Sequence, residues 1–489
     1  MEHEQFQELL DRLVGHSGAG HAGVGQEVLG EVLARTSLRA PAETSRVEIS
    51  AGNPTARRPV DQRAIPQGTV SKAVKALLAE KLLEDGEKLL KNEDGRTLSP
   101  LRLGSSFVIA GVKVEQQAGR PGKVMTALVG LDGSRELGTS YEPVEDAGGD
   151  IWDQVALLAH RQVTSLKSLR DQDRARDGLE PLRMFGVGVA VGAPVYNGVM
   201  PISEETSQPT VDLAAKLRRL FDADRSFDRS VPVVVENDVN ALAVLAIHEV
   251  HYVESDLVVV GVFDEGIGGG LVMDGRLRRG GNGRAMEIGH LSVGFPPGQE
   301  PEPSHPHDDV AEAPAAGAGF NARCPCGHYG HADALAAPCR IRAELGNRPL
   351  EQMGSLDAQD PEFSRAREVF ARSGFALGRA LAHVSNTVNP SRVIVYLPVA
   401  LADPKPDTAA AQYLSAARKE ITSAFAAGDQ PGYLAVRALP AEPSDVALLG
   451  AKAAAVCVLE SFIEHALRLD SCKSGPRRTA AGTRPPAAA

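Results

Sequence analysis

The chain of 489 residues is 43% hydrophobic but only 4% aromatic, rich in glycine (49 residues), and carries a formal charge of −11. That length holds two or three domains with sizeable cores, and the acidic total excludes a protein that is basic throughout. No uninterrupted apolar run approaches the roughly 18–20 residues of a membrane helix, and the start Met1-Glu2-His3-Glu4 is acidic where a secretory leader is basic, so a cytoplasmic protein with no membrane partner is expected.

Residues 1–24 read as an N-terminal extension, an amphipathic piece from Phe6 to Val14 followed by a Gly/His linker. Residues 25–104 form the first expected domain, opened by a helix from about Gly25 to Leu33. Val70, Val74, Leu77, Leu78 and Leu82 recur at helical spacing and predict a helix over 69–83, with Gln67 and Thr69 as caps and Ser71, Lys72 and Lys75 on its exposed face. Leu89-Leu90 and Leu98 to Leu103 read as two short strands around a turn carrying Gly95 and Arg96. Between Arg35 and Arg102 thirteen Lys and Arg stand against nine Asp and Glu, so basic residues gather in this one domain of an acidic chain. Helix, helix and short hairpin is the layout of a winged helix-turn-helix, whose second helix enters the major groove while the wing lies on the backbone. Gln67, Thr69, Ser71, Lys72, Lys75 and Arg96 are then the candidate contacts to operator DNA. A small helical cap with solvated lysines is the plainer alternative, and the Pro-rich stretch from Arg46 to Gly68 is longer than a usual turn between such helices.

Residues 105–470 change character to α/β. Phe107 to Val114 and Lys123 to Gly130 predict a hairpin closing at Leu131-Asp132-Gly133-Ser134, followed by a helix over 151–169 and an apolar strand over 184–191. Strand 231–235 ends in Glu236-Asn237-Asp238, which opens a helix to Glu249. Strand 257–263 runs into a glycine loop, Gly266 to Gly270, and a hairpin strand over 270–273 turns at Asp274-Gly275. Helices over 361–388, 409–427 and 448–469 and strands over 392–396 and 432–437 complete a mixed sheet. Residues 295–320 are low-complexity and predict a surface insertion, and the composition of the tail, 471–489, predicts disorder.

Five cysteines, an odd number with one Cys-x-Cys pair, suit a metal better than a disulfide framework. His290, Cys324, Cys326 and His331 offer four ligands for a tetrahedral zinc site; two ordinary buried thiols are the alternative for the cysteines. Glu287 and Asp333 flank these ligands and can grip the hydroxyls of a small polar molecule. The glycines from Gly266 to Gly270 are open to two readings, a phosphate cradle or a plain scaffold.

Glu236-Asn237-Asp238-Val239-Asn240 at a strand-to-helix junction, Arg279-Gly280-Gly281-Asn282-Gly283-Arg284-Ala285-Met286-Glu287-Ile288-Gly289-His290, and the Cys324-to-His331 knuckle with Asp333 together resemble the ROK family of repressors and sugar kinases. The resemblance covers most of the chain from about 25 to 465. It implies an N-terminal winged helix-turn-helix followed by a duplicated, actin-like (ribonuclease-H-like) two-lobed domain. It also implies that Asn237, Asp238, Glu287, His290 and Asp333 bind sugar hydroxyls, that His290 bridges metal and ligand, and that a structural zinc lies beside the sugar. Asp238 stands where the kinases keep their general base.

Departures from the pattern separate kinase from regulator. The kinases' Asp-x-Gly-Gly-Thr phosphate loop is Ile109-Ala110-Gly111-Val112-Lys113-Val114, without the carboxylate that helps order Mg²⁺. The Pro-Gly after strand 184–191 is Gly192-Ala193, and the glycine turn near the nucleotide is Tyr396-Leu397-Pro398. The knuckle's third cysteine is His331, and its glutamate is Asp333. The glycines then read as hinge and scaffold. The expectation is a dimeric repressor of carbohydrate metabolism, not an enzyme, that binds operator DNA and senses a sugar or sugar phosphate. Its rivals are an active sugar kinase with an added N-terminal domain and a ligand-independent DNA-binding protein.

Overall fold

The apolar runs that mark strands in the sequence become strands of two five-stranded sheets. The computed structural model describes residues 28–33, 35, 43–44, 49, 66–86, 90–91, 97–98, 100–117, 120–133, 135–145, 148–200, 210–227, 231–250, 256–294, 323–425, 428 and 430–473. The N-terminal extension, most of the Pro-rich stretch, the wing-tip Arg96, the low-complexity residues 295–320 and nearly all of the tail lie outside the described residues. The chain divides into two compact units: Met1–Asn53 with Arg63–Ser106 and Leu459–Ala489, and Pro54–Gln62 with Phe107–Val458.

In the first unit, β1 (Glu43–Thr44), α1 (Gln67–Ala79), β2 (Leu83–Asp85), β3 (Leu90–Lys91), β4 (Thr97–Leu98) and β5 (Leu101–Leu103) follow one another. The strands pair antiparallel in the order β1-β5-β2, and β3 pairs with β4. α1 buries Val70, Val74 and Leu77, one stripe at helical spacing. It begins two residues earlier than the apolar pattern suggests, because Pro66 with φ −56° presets the first turn. Gln67 and Thr69 therefore sit inside the helix, and no side chain caps it. Its end is earlier as well: Lys81 takes φ +58°, the Leu82 N–H reaches back to Leu77 O at 3.0 Å, and Leu83 already belongs to β2.

The second unit contains β6 (Phe107–Gln117), β7 (Arg120–Gly130), β8 (Glu136–Pro143), α2 (Ile151–Arg176), β9 (Arg183–Val191), α3 (Leu213–Ala223), β10 (Val233–Asn237), α4 (Asp238–Glu249), β11 (Leu257–Val262), β12 (Ile267–Met273) and β13 (Arg276–Leu277). It continues with α5 (Ala332–Ala336), α6 (Pro338–Glu344), α7 (Phe363–Val388), β14 (Arg392–Leu397), α8 (Ala411–Ala424), β15 (Leu434–Ala438) and the first half of α9 (Pro443–Lys473). One sheet has the order β8-β7-β6-β9-β10 and the other β13-β12-β11-β14-β15. Each has an antiparallel meander on one side of its first strand and two parallel strands on the other, which is the duplicated architecture the family resemblance implies.

Two strand expectations change. The turn at Leu131 does not close the first hairpin; β6 and β7 meet at Gln117 and Arg120, and Leu131 leads into β8. β8 is a half-exposed edge strand, so it lacks the apolar run that marks buried strands. Gly268, Gly269 and Gly270 are not in a loop but in β12, paired with β11. A Cβ on Gly268 would come 2.5 Å from Val239 Cγ2 and one on Gly270 2.8 Å from the Ala243 Cβ, so the glycines let α4 lie directly on the strand. α3 is a further helix, half-hidden in the sequence by its charged face.

The abundance of glycine and alanine has the same cause on the first sheet. A Cβ on Gly111 would stand 1.9 Å from Ala451 O, and one on Gly188 1.8 Å from Ala454 O, so α9 is packed backbone against sheet. Gly188→Val is expected to cost about 3 kcal/mol or more, because a backbone carbonyl cannot swing aside as a side chain can. Urea unfolding measures it, and a loss under 1 kcal/mol would contradict this packing. Within α9, Pro443–Ala466 has the length and, over an 18-residue window, the mean hydropathy (1.9) to cross a membrane, although Lys452 and Glu460 keep it from being an uninterrupted apolar run. Two thirds of that window (67%) is buried inside the protein, as in a core helix.

Candidate functional site

β10 is apolar until Glu236, a carboxylate only 1% exposed. Such a group needs partners. Its Oε1 accepts the Asn237 N–H at 3.0 Å and Asn240 Nδ2 at 3.0 Å, and its Oε2 accepts Arg279 Nε at 2.6 Å. Asn237 caps α4: its Oδ1 accepts the N–H groups of Val239 (3.0 Å) and Asn240 (3.1 Å), while Nδ2 donates to Ala193 O at 3.3 Å. The Asn237 carbonyl oxygen is thus used by the fold, and only amide N–H capacity remains for a ligand.

Asp238 is the first residue of α4, and its Oδ2 accepts from Lys113 Nζ at 2.6 Å. Both side chains are about 85% buried, being 14% and 15% exposed. Lys113 comes from β6, which stays extended through Gln117. The segment expected to be a degenerate phosphate loop is therefore plain strand, with an ammonium against the carboxylate at the base position.

Met286 has φ +65°, a conformation that costs a side chain about 1 kcal/mol or more. It sends the chain into a short 3₁₀ turn, Ile288–His290, with the exposed Glu287 at its start. Asp333, in the first turn of α5, accepts the Ile267 N–H at 2.6 Å. Burial pushes the Asp333 carboxyl up against the pull of that hydrogen bond, and the Glu287 charge adds to the push. A Cβ on Gly289 would lie 2.2 Å from Asp333 Oδ1, so this glycine makes the room for the carboxylate.

The knuckle forms a tight turn. Gly327, at φ +90°, donates its N–H to Cys324 O at 2.9 Å, and the Cys324 N–H donates to His328 O at 2.8 Å. Val293 N–H to Gly330 O (3.0 Å) and Ala332 N–H to Leu291 O (3.1 Å) then lace the knuckle to the segment after His290. The ligand atoms of His290, Cys324, Cys326 and His331 all lie within 4.8 Å of one another. Cys324 Sγ is 3.7 Å from His290 Nδ1 and Cys326 Sγ is 3.2 Å from His331 Nδ1. A tetrahedral zinc, with Zn–S about 2.3 Å and Zn–N about 2.05 Å, sets sulfur and nitrogen ligands roughly 3.5 Å apart. The group therefore fits a metal ion. Burial pushes the Cys324 thiol up to about 12; at Cys326 burial is outweighed by the N–H and ring of His328, among others, and the thiol falls to about 6.

A cleft of about 730 Å³ in the second unit is lined by Lys113, Asn237, Asp238, Glu287 and Asp333, together with the ends of β14 and β15 and the start of α9. Four of the five expected sugar contacts thus share one cavity. His290 is the exception: it groups with the knuckle's Cys324, Cys326 and His331 and is not among the lining residues. Of the expected DNA contacts, Gln67, Ser71, Lys72 and Lys75 are exposed on α1 and Thr69 is half-buried. Sequence reasoning missed Lys113 as a partner of Asp238, and Arg279 with Glu236 as the clamp that fixes the strand end. A charged residue closing an apolar strand was the available signal for the second.

Comparison with known proteins agrees with this geometry. A family model described as ROK family matches residues 175–432, more than half of the chain. The chain is 28% identical to a glucokinase of Halalkalibacterium halodurans over 191 residues, 34% of this chain and 49% of that protein. It is 23% identical to the DNA-binding transcriptional repressor Mlc of Escherichia coli (strain K12) over 230 residues, 44% of this chain and 46% of that protein. Each match thus spans about half the length of the curated relative. Among solved structures, a ROK family transcriptional regulator described as a homolog of the E. coli MLC protein superposes with a TM-score of 0.55 at 18% identity, covering 90% of this chain and 100% of that one, a likeness of fold. The matching segment takes in the capped strand end, the carboxylates and the knuckle alike, and the chain belongs to the ROK family.

Proposed function

We propose that the protein is a DNA-binding transcriptional regulator, acting as a repressor of carbohydrate genes, whose cleft binds a sugar or sugar phosphate without phosphorylating it. The observation that carries this reading is the Lys113–Asp238 ion pair at 2.6 Å. A general base must present a carboxylate to the attacking hydroxyl, and a kinase must hold phosphate and Mg²⁺ nearby. Here the carboxylate is neutralised by the ammonium, and β6 supplies strand where a phosphate loop would be. α1, with its exposed lysines, and the short β3–β4 pair support a winged helix in the first unit. Zinc on His290, Cys324, Cys326 and His331 is proposed as a structural ion that braces the carboxylate loop. A homodimer would supply the two half-site contacts that selective operator binding needs.

The test is binding of the protein to its own upstream DNA at physiological salt, with and without a panel of hexoses and hexose phosphates. A sequence-specific complex whose affinity changes at least about tenfold with one sugar is expected. DNA binding without sequence preference would sink the regulator reading, and unchanged affinity across the panel would sink the sensing. The 28% identity to a glucokinase favours a second reading, an active kinase. A coupled assay with ATP and hexoses is expected to show no turnover above background; turnover that Asp238→Asn abolishes would establish the kinase instead.

A further inference from the structure

Beyond the polar end, the cleft continues along a wall built from Pro398 after β14, Leu439 and Pro440 after β15, and Pro443 and Val446 at the start of α9. This wall is unsuited to a nucleotide. Proline has no N–H, so Pro398, Pro440 and Pro443 offer a phosphate no backbone donor, and the Leu439 N–H is already given to Leu397 O at 2.7 Å. Among the described residues two cations line the cleft, Lys113 and Arg342. Lys113 is committed to Asp238, and Arg342 holds Asp264 through both terminal nitrogens. A polyphosphate that took Lys113 would leave the Asp238 side chain, 15% exposed, without its cation; the Arg342–Asp264 pair, with Asp264 57% exposed, is the weaker barrier.

The same wall is suited to apolar matter. A space of about 730 Å³ matches the pockets that enclose drug-sized ligands, roughly 300–1,000 Å³, and is far more than one hexose fills. Asp238 lies near the α9 side of this wall: a Cβ on Gly450 of α9 would stand 3.0 Å from the Lys113 Cδ, Lys113 pairs with Asp238, and one sugar hydroxyl would lie against that carboxylate. A substituent on that side of the sugar would enter the proline-lined space.

We infer that the effector is a sugar bearing an apolar substituent, an alkyl or aryl glycoside or a sugar ester, with the sugar at Asn237, Glu287 and Asp333 and the substituent against Pro398, Leu439, Pro440 and Val446. This rests on the reading that the cleft binds a sugar. The vacated kinase half becomes a second subsite for an apolar group.

Calorimetric titration of the full chain tests it, with glucose, mannose, galactose and N-acetylglucosamine each offered free, as both phenyl glycosides and as the 6-O-butanoyl ester. For the sugar that binds, at least one substituted form is expected to bind about tenfold or more tightly than the free sugar, the scale of burying a few tens of Å² of apolar surface. Val446→Asp, or Ala441→Glu in the exposed turn before α9 should Val446→Asp fail to fold, is expected to bring the ratio of substituted to free sugar to about one. A free sugar that binds as tightly as all its substituted forms overturns this inference alone. A nonhydrolysable ATP analogue that competes with the substituted sugar overturns it as well. Failure of every sugar, free or substituted, to bind overturns the sugar reading of the cleft and this inference with it.

Discussion

Replacing Cys324 by serine is expected to take the protein from about one zinc per chain to nearly none and to lower Tm by roughly 5 °C or more. The size of the effect follows from where the residue sits. Cys324 is 2% exposed, and its backbone closes the knuckle turn at both its N–H and its carbonyl. Its thiol is held up by burial, so without a metal it stays protonated and contributes little beyond packing. A divalent ion held there would replace that proton, join four side chains from two segments, and tie the knuckle to the loop that presents Glu287. Treating the wild-type protein with a chelator should reproduce the Cys324→Ser melting curve, and the variant itself should be insensitive to the chelator. Stoichiometric zinc retained by Cys324→Ser would refute the four-ligand site. His331→Cys, which restores a third thiolate, should keep the metal and bind it at least as tightly.

The second large effect concerns DNA. The double variant Lys72→Ala, Lys75→Ala is expected to weaken operator binding by about two orders of magnitude near physiological salt, and to reduce the slope of log K against log salt by about two. Both lysines are exposed on α1, whose opposite stripe, Val70, Val74 and Leu77, is buried. The substitution therefore removes charge without disturbing the core of the unit, and alanine favours the helix. The loss should be similar on specific and non-specific DNA if the lysines meet phosphates. Unchanged affinity and unchanged salt slope would move the DNA-binding surface away from this helix. Measured together, zinc content and salt dependence probe the two units separately.

Much of the site was visible in local sequence pattern because the chemistry there is local. Cys-x-Cys followed by a histidine five residues on is a turn that can carry three ligands, and the capped strand end Glu236-Asn237-Asp238 announces itself by a polar triplet closing an apolar run. Burial periodicity likewise fixed the stripe of α1 and the interior strands β9 and β11, since a strand buried on both faces reads as an unbroken apolar run. β8 escaped for the opposite reason: an edge strand with one wet face carries too little pattern. α1 was displaced by two residues at its start because Pro66, not the apolar spacing, sets where it begins.

What the chain alone could establish, then, was its family resemblance, a mixed α/β sheet and the four candidate metal ligands His290, Cys324, Cys326 and His331. Pairing across long stretches of chain needed the folded molecule. Lys113 and Asp238 are 125 residues apart, and no periodicity reveals that an ammonium from the centre of one sheet meets a carboxylate at the head of α4. The glycines of β12 show the same limit. In sequence they are equally a phosphate loop or a scaffold; only the approach of Val239 and Ala243 shows that they are there to admit a helix. Local patterns report which groups a segment must bury or expose, while the partner that satisfies each buried charge is chosen by packing in three dimensions.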